Sequence, residues 1–214
     1  MKLNVLIPVK KLNQIKSRLS KYLNEEFRIR LSFLMIEDIL ESCSSSKMIE
    51  KIYLVSYDEI NEFRKYNNVE VLINKEELNK ALDFALEISK KQKYEATLII
   101  PSDIPLIEPI DIENLSKLIE NNDIVLSPSC DSGTNVLIIK NNVKIKLEFG
   151  EGKSSFLLHL KNALKNNLKV AIYCNERVCL DLDDIIRLTY FQNLNVNKKS
   201  IKFLRENVKN IELE

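Results

Sequence analysis

The sequence predicts an α/β protein of three layers, with helices on both faces of a mostly parallel mixed sheet. Three observations support this. Short β-branched segments recur at 3–9, 51–56, 69–73, 97–100, 123–127, 135–139 and 168–173, with the length and composition of buried strands. Stretches with apolar residues at three-to-four-residue spacing separate most of them, which is the pattern of a parallel sheet covered on both sides. The exception is the pair 123–127 and 135–139. The connection between these two is shorter than the roughly dozen residues a parallel crossover needs, so one of them is expected to run antiparallel.

Taken in order, the first strand reads Val5-Leu6-Ile7-Pro8-Val9 and runs into a loop holding Lys10, Lys11, Lys16 and Arg18. Fixed positive charge at the carboxyl end of a strand suits an anion, because ligand crevices of open α/β sheets lie there. Residues 25–43 carry Phe27, Leu31, Leu34, Met35, Ile39 and Leu40 on one helical face, and 76–91 repeat the pattern through Leu78, Ala81, Leu82, Ala85 and Ile88. Further helices are expected over 112–119 and over 153–166, the latter with Phe156, Leu157, Leu160 and Leu164 on one side. From Ile185 onward the chain is rich in Asn and Lys but keeps Leu188, Phe191, Ile201 and Leu204, so packed helix is expected rather than disorder. No linker, repeat or low-complexity block interrupts the chain, and one domain over residues 1–214 is the economical expectation.

Composition narrows the function. With 32 basic and 31 acidic residues the net charge is +1, which disfavours nucleic acid or an anionic membrane as the main partner. No apolar run reaches the ~18 residues of a membrane span and no signal pattern opens the chain, so a cytoplasmic protein is expected. The four cysteines, Cys43, Cys130, Cys174 and Cys179, have no CxxC spacing and read as reduced, mostly buried thiols rather than a zinc site. The three glycines all fall between Gly133 and Gly152, where each is expected to serve a backbone need.

Five stretches have the parts for chemistry. Besides the basic loop, Pro101-Ser102-Asp103-Ile104-Pro105 holds one carboxylate between two prolines at a strand end, a place for a hard cation shared with substrate phosphates or for a turn cap. Asp181-Leu182-Asp183-Asp184 alternates, so Asp181 and Asp183 share a side if extended while Asp184 suits the N-cap of the next helix. Last come Ser129-Cys130-Asp131-Ser132-Gly133-Thr134 and Gly150-Glu151-Gly152-Lys153-Ser154-Ser155, where hydroxyls and free N–H groups offer a second anion site. GxxxxGK[ST] and GxGxxG are both absent. Two acidic loops and one basic loop together suit metal-assisted nucleotidyl or phosphoryl transfer. His159 is the only histidine. An ionised phosphate acceptor needs no base, so it reads as a packing or hydrogen-bonding residue.

The ordered set IPVK…KSRL, LNKAL, PSDIPL, DSGTN, GKSSFLLH and LDLDD resembles the 2-phospho-L-lactate guanylyltransferase family, over roughly residues 5–184. The resemblance implies a nucleotide-diphospho-sugar transferase-like (Rossmann-like) fold. It also implies transfer of GMP from GTP to 2-phospho-L-lactate or phosphoenolpyruvate with release of pyrophosphate, in coenzyme F-420 biosynthesis. By matching position, Lys10 is implied to bind the acceptor, and Lys16 and Arg18 to face the triphosphate. Asp103 and Asp181 are implied to hold Mg²⁺, with Asp183 the alternative to Asp181. Asn79 matches a residue near the nucleotide, and Thr134, Gly152 and Ser155 match positions that cradle the acceptor, with Gly150 a rival to Gly152. A homodimer is a further implication. The sequence departs from the family pattern at Ser102 and at Ser132, which would restrict its turn if it needs positive φ. The alternatives are a nucleotidyltransferase of the same fold with molybdopterin or a sugar phosphate as acceptor, and a nucleotide-binding module without turnover.

Overall fold

The structure is a computed structural model that describes residues 1–92, 94–150 and 154–208. Its strands are β1 (Leu3–Val9), β2 (Ile49–Ser56), β3 (Val69–Ile73), β4 (Ala96–Ile99), β5 (Ile124–Pro128), β6 (Thr134–Lys140) and β7 (Val170–Ile172). They form one sheet in the order β3-β2-β1-β4-β6-β5-β7. Only β6 is antiparallel to its neighbours β4 and β5, while β7 runs parallel to β5. The short β5–β6 connection is therefore a hairpin inside an otherwise parallel sheet, for the reason of reach given above.

Period-two alternation sorts the strands between two cores. Leu3, Val5, Ile7 and Val9 of β1 meet Ile36, Ile39 and Leu40 of α1 (Glu25–Ser44) and Ile112, Leu115 and Ile119 of α3 (Pro109–Asn121). Leu6 points the other way, to Leu82, Ala85 and Leu86 of α2 (Leu78–Lys90) and Ala163 of α4 (Ser155–Lys165). Both faces are thus dry, as a parallel sheet requires. A third cluster joins α6 (Ile185–Asn193) and α7 (Lys199–Asn207) to α1 through Leu31, Met35, Leu188, Phe191, Ile201 and Leu204. The Asn- and Lys-rich tail is packed helix, and Asp38 of α1 caps α7 by accepting from the Lys199 and Ser200 N–H groups.

Several boundaries differ from expectation for local reasons. α2 starts at Leu78 rather than Glu76 because the Asn74 side chain accepts from the Glu76 N–H and turns the chain first. α3 begins three residues before the expected start, with Pro109 in its first turn and a capping box between Glu108 and Asp111. α5 (Glu176–Cys179), a single turn held by the Asn175 side chain on the Val178 N–H, has no apolar period to announce it. Of the four thiols, Cys130 and Cys174 are exposed, against the expectation that most are buried.

Candidate active site

β1 leads to β2 on one side and pairs with β4 on the other. The chain order reverses there, and the carboxyl ends of β1 and β4 open into one crevice. The basic loop after β1 folds as two short 3-10 turns, with Lys16 between them in the left-handed conformation at φ 49°. That kink sends the Lys16 ammonium inward, where it lies 3.0 Å from Asp103 Oδ2 and 3.4 Å from Asp183 Oδ1. Arg18 Nη1 lies 3.0 Å from the other oxygen of Asp183. A backbone hydrogen bond of 2.9 Å from Leu182 N–H to the Asp103 carbonyl ties the loop after β4 to the loop before α6. Within the latter, Leu182 is buried in the third cluster. The two flanking carboxylates face the opposite way by alternation, and Asp184 caps α6 by accepting from the Arg187 N–H.

The three acidic groups differ sharply in their surroundings. Burial by itself would push the Asp183 carboxyl up, but the charges of Lys16, Lys10 and Arg18 outweigh it and hold it below the usual carboxylate range. Asp181 is pushed from 3.8 up to about 6, first by burial and then by the charge of Asp103, with Arg187 only partly offsetting both. Its Oδ2 accepts from Arg187 Nη1 at 3.0 Å. Its Oδ1 is buried with no hydrogen-bond partner. A buried carboxylate oxygen without a donor, facing a second carboxylate, is an energetic fault that a hard cation removes. The pair Asp103 and Asp181 therefore fits a divalent metal, although the described residues hold no cluster of three or more His, Cys, Asp or Glu side chains able to bind one.

Beside this charged corner a cavity of about 710 Å³ extends past Lys10, Ser102 and Asp103 toward Tyr57, Leu78 and Phe149. Its size suits a nucleotide. Lys11 sits over the Tyr57 ring, 3.9 Å from its centroid. Asn79 does not present its amide to this space. Its Nδ2 donates to the Phe149 carbonyl at 2.8 Å, and its Oδ1 accepts from the Phe149 N–H at 2.9 Å. It clamps one cavity wall.

On the far side, Thr134 at the start of β6 and Ser155 at the start of α4 are both buried. The Thr134 N–H donates to Ser155 Oγ at 2.8 Å, the two hydroxyl oxygens lie 3.3 Å apart, and His159 Nδ1 is 2.9 Å from Thr134 Oγ1. The turn leading into Thr134 has Ser132 at φ 71°, the strained conformation the sequence raised. Next to it a Cβ on Gly133 would lie 2.7 Å from Ser129 Oγ, so the hydroxyl that donates to Asp131 would have to move. Gly152, the other expected acceptor residue, lies outside the described residues; its rival Gly150 is described, at φ 151°.

The structure thus brings Lys10, Lys16, Arg18, Asp103, Asp181 and Asp183 to one corner and Thr134 with Ser155 to another. Two further residues join the first corner. Arg187 holds Asp181, and Asp131, which accepts from the Ser129 hydroxyl, adds its charge to the surroundings of both. Arg187 follows from the N-cap, which fixes α6 and places its third residue beside the cap. Asp131 has no such signal, because its position depends on the turn conformation.

Residues 3–213 match the family described as guanylyl transferases like CofC. A 2-phospho-L-lactate guanylyltransferase of Methanocaldococcus jannaschii is 37% identical over 186 residues, covering 85% of this chain and 79% of the relative. One of Methanobrevibacter smithii is 31% identical over 210 residues, covering 97% and 91%. Among solved structures, a nucleotide-diphospho-sugar transferase from Desulfovibrio desulfuricans superposes with a TM-score of 0.79 at 15% identity, covering 97% of this chain and 96% of that one. The 4-diphosphocytidyl-2C-methyl-D-erythritol synthase of Anaerococcus prevotii gives 0.62 at 12%, covering 95% and 96%. These two establish the nucleotide-diphospho-sugar transferase-like fold and nothing finer.

Proposed function

The chain belongs to the family of guanylyl transferases like CofC, and we propose that it transfers GMP from GTP to 2-phospho-L-lactate or phosphoenolpyruvate, in the biosynthesis of coenzyme F-420. A phosphate oxygen of the acceptor attacks the α-phosphorus of GTP. A new P–O bond forms, and the bond to the β-phosphate bridging oxygen breaks, with its electron pair leaving on pyrophosphate. The step joins two polyanions, so charge neutralisation and in-line alignment are what it demands of the protein.

The observation that carries this reading is the convergence of Lys16, Asp103, Asp181 and Asp183 from three separate loops, with one Asp181 oxygen unpartnered. Asp103 and Asp181 would hold Mg²⁺, and a bound magnesium ion supplies positive charge to the phosphate oxygens. Asp183 is the weaker choice because Lys16 and Arg18 already engage both its oxygens. Lys10, on the cavity lining, attracts the acceptor, and Lys16 and Arg18 face the triphosphate. Thr134 and Ser155, with Gly152, receive the acceptor. Asn79 supports the nucleotide indirectly, through Phe149. No helix among the described residues is long and apolar enough to cross a membrane, in keeping with a cytoplasmic biosynthetic enzyme.

The test is purified protein with Mg²⁺, each nucleoside triphosphate in turn and candidate phospho-acids, followed by pyrophosphate release. GTP with phospholactate or phosphoenolpyruvate is expected to react. Release with CTP, or with sugar phosphates alone, would overturn the reading, as would GTP binding without turnover on any acceptor.

A further inference from the structure

His159 is fully buried in α4 and is used by neither the charged corner nor the nucleotide cavity. Both its ring nitrogens are nevertheless engaged. The Glu148 backbone N–H donates to Nε2 at 2.9 Å, so Nε2 must carry a lone pair. A neutral ring then has its proton on Nδ1, and that proton is directed at Thr134 Oγ1, 2.9 Å away. An imidazolium would set a second N–H against the Glu148 N–H, and burial, partly offset by the Glu148 charge, pushes the ring down to about 4.

The protons of the cluster can then be counted. Thr134 Oγ1 receives the imidazole N–H, and Ser155 Oγ receives the Thr134 backbone N–H. One hydroxyl proton joins Ser155 Oγ to Thr134 Oγ1. Two hydroxyls bring two protons, so one is left over, and among the described residues no acceptor takes it. With the other tautomer the ring would take the Thr134 proton itself and the surplus would vanish. We propose that His159 is a positioning residue: its fixed tautomer, set by the Glu148 N–H, makes the Thr134–Ser155 hydroxyl pair a net hydrogen-bond donor to the anionic acceptor. The inference rests on the reading of Thr134 and Ser155 as acceptor-binding residues. The His159 ring also packs edge-on to Phe149, centroids 4.7 Å apart, so it links the acceptor side to the wall that Asn79 clamps.

Two measurements test it. His159 is the only histidine, so ¹⁵N spectra of the imidazole report this residue alone. The expected result is an Nδ1–H tautomer with no titration between about pH 5 and 8. An Nε2–H tautomer, or a titration near the ordinary histidine value, would overturn the proposal whatever the enzyme's substrate. The second measurement is steady-state kinetics of His159→Phe and His159→Asn with GTP and phospholactate. Loss of a charge-assisted donor is expected to raise the acceptor KM about 10- to 100-fold in His159→Phe with the GTP KM unchanged. His159→Asn, whose amide keeps an N–H near the Nδ1 position, is expected to recover most of it. Equal effects on both substrates, or no difference between Asn and Phe, would refute it. If Phe fails to fold, Thr134→Val replaces it and is expected to show the same selective rise, with an unchanged acceptor KM counting against. A wild-type enzyme inactive on every phospho-acid would instead sink the proposed function, and the tautomer measurement would still stand.

Discussion

Asp111 and Asp181 are both buried carboxylates next to an arginine, and they are built in opposite ways. Asp111 in the first turn of α3 receives Nε and Nη2 of Arg177 at 2.7 and 2.6 Å, the Tyr173 hydroxyl at 2.8 Å, the Asn175 amide at 2.6 Å and the Glu108 N–H at 2.9 Å. Burial opposes ionisation there, but these bonds prevail and hold its carboxyl below 3.8. Asp181 has one arginine bond and one empty oxygen, faces Asp103, and is pushed up to about 6. A carboxylate with every lone pair filled stabilises the fold. One left short of donors beside a like charge costs stability that a bound cation would restore.

The largest effect expected from this contrast is on turnover. Asp181→Asn or Asp103→Asn should lower the rate of pyrophosphate release at least about 100-fold, because each removes a carboxylate that would hold the magnesium ion whose positive charge offsets the phosphate oxygens. The melting temperature of Asp181→Asn should stay level or rise, since it relieves a carboxylate left short of donors. Asp111→Asn should do the reverse: near-normal turnover per folded molecule, with a loss of about 2 kcal/mol read by denaturant unfolding. Arg177 is partly solvated, so that loss falls below the cost of a wholly buried pair. Wild-type turnover in Asp181→Asn at limiting Mg²⁺ would break the comparison.

Next in size is the pH dependence of metal-free stability, where the two groups have opposite signs. Asp181 binds a proton in the folded state that it lacks unfolded between 3.8 and about 6. Its contribution is therefore unfavourable above about 6, and stability rises as pH falls through that window, by on the order of 3 kcal/mol. Asp111, held low, contributes stability above 3.8 that is lost only as pH falls further. Denaturant titrations of wild type and Asp181→Asn from pH 8 to 4 should show the first slope in wild type alone. Saturating Mg²⁺ should flatten it, since the ion displaces the proton.

The smallest effect concerns the turn carrying Asp131 beside Arg187 and Asp181. Ser132→Gly removes the left-handed strain at φ 71° and should stabilise by about 0.5 kcal/mol, the relief of strain exceeding the added unfolded-state entropy. Gly133→Ala should destabilise, because its Cβ would meet Ser129 Oγ, the donor to Asp131. Melting curves of the two variants give the sign of each.

The sequence by itself determined the sheet, the antiparallel interruption at β5–β6, the packed tail and the three loops that meet at the crevice. Hydrophobic period, connection length and side-chain type are local properties, and strand ends follow from them. It also announced Asp184 as the N-cap that brings Arg187 into place. It did not separate Asp181 from Asp183, which share a face by alternation. What distinguishes them is that Lys16, some 165 residues earlier, turns inward at φ 49° to engage Asp183 and leaves an Asp181 oxygen alone. It left Asn79 beside the nucleotide, and only the fold showed its amide bound to Phe149. Nor did it show what holds His159, because the Glu148 N–H and the Thr134 hydroxyl reach the ring from other elements. Which lone pairs are filled depends on groups distant in sequence, and that is decided by tertiary structure alone.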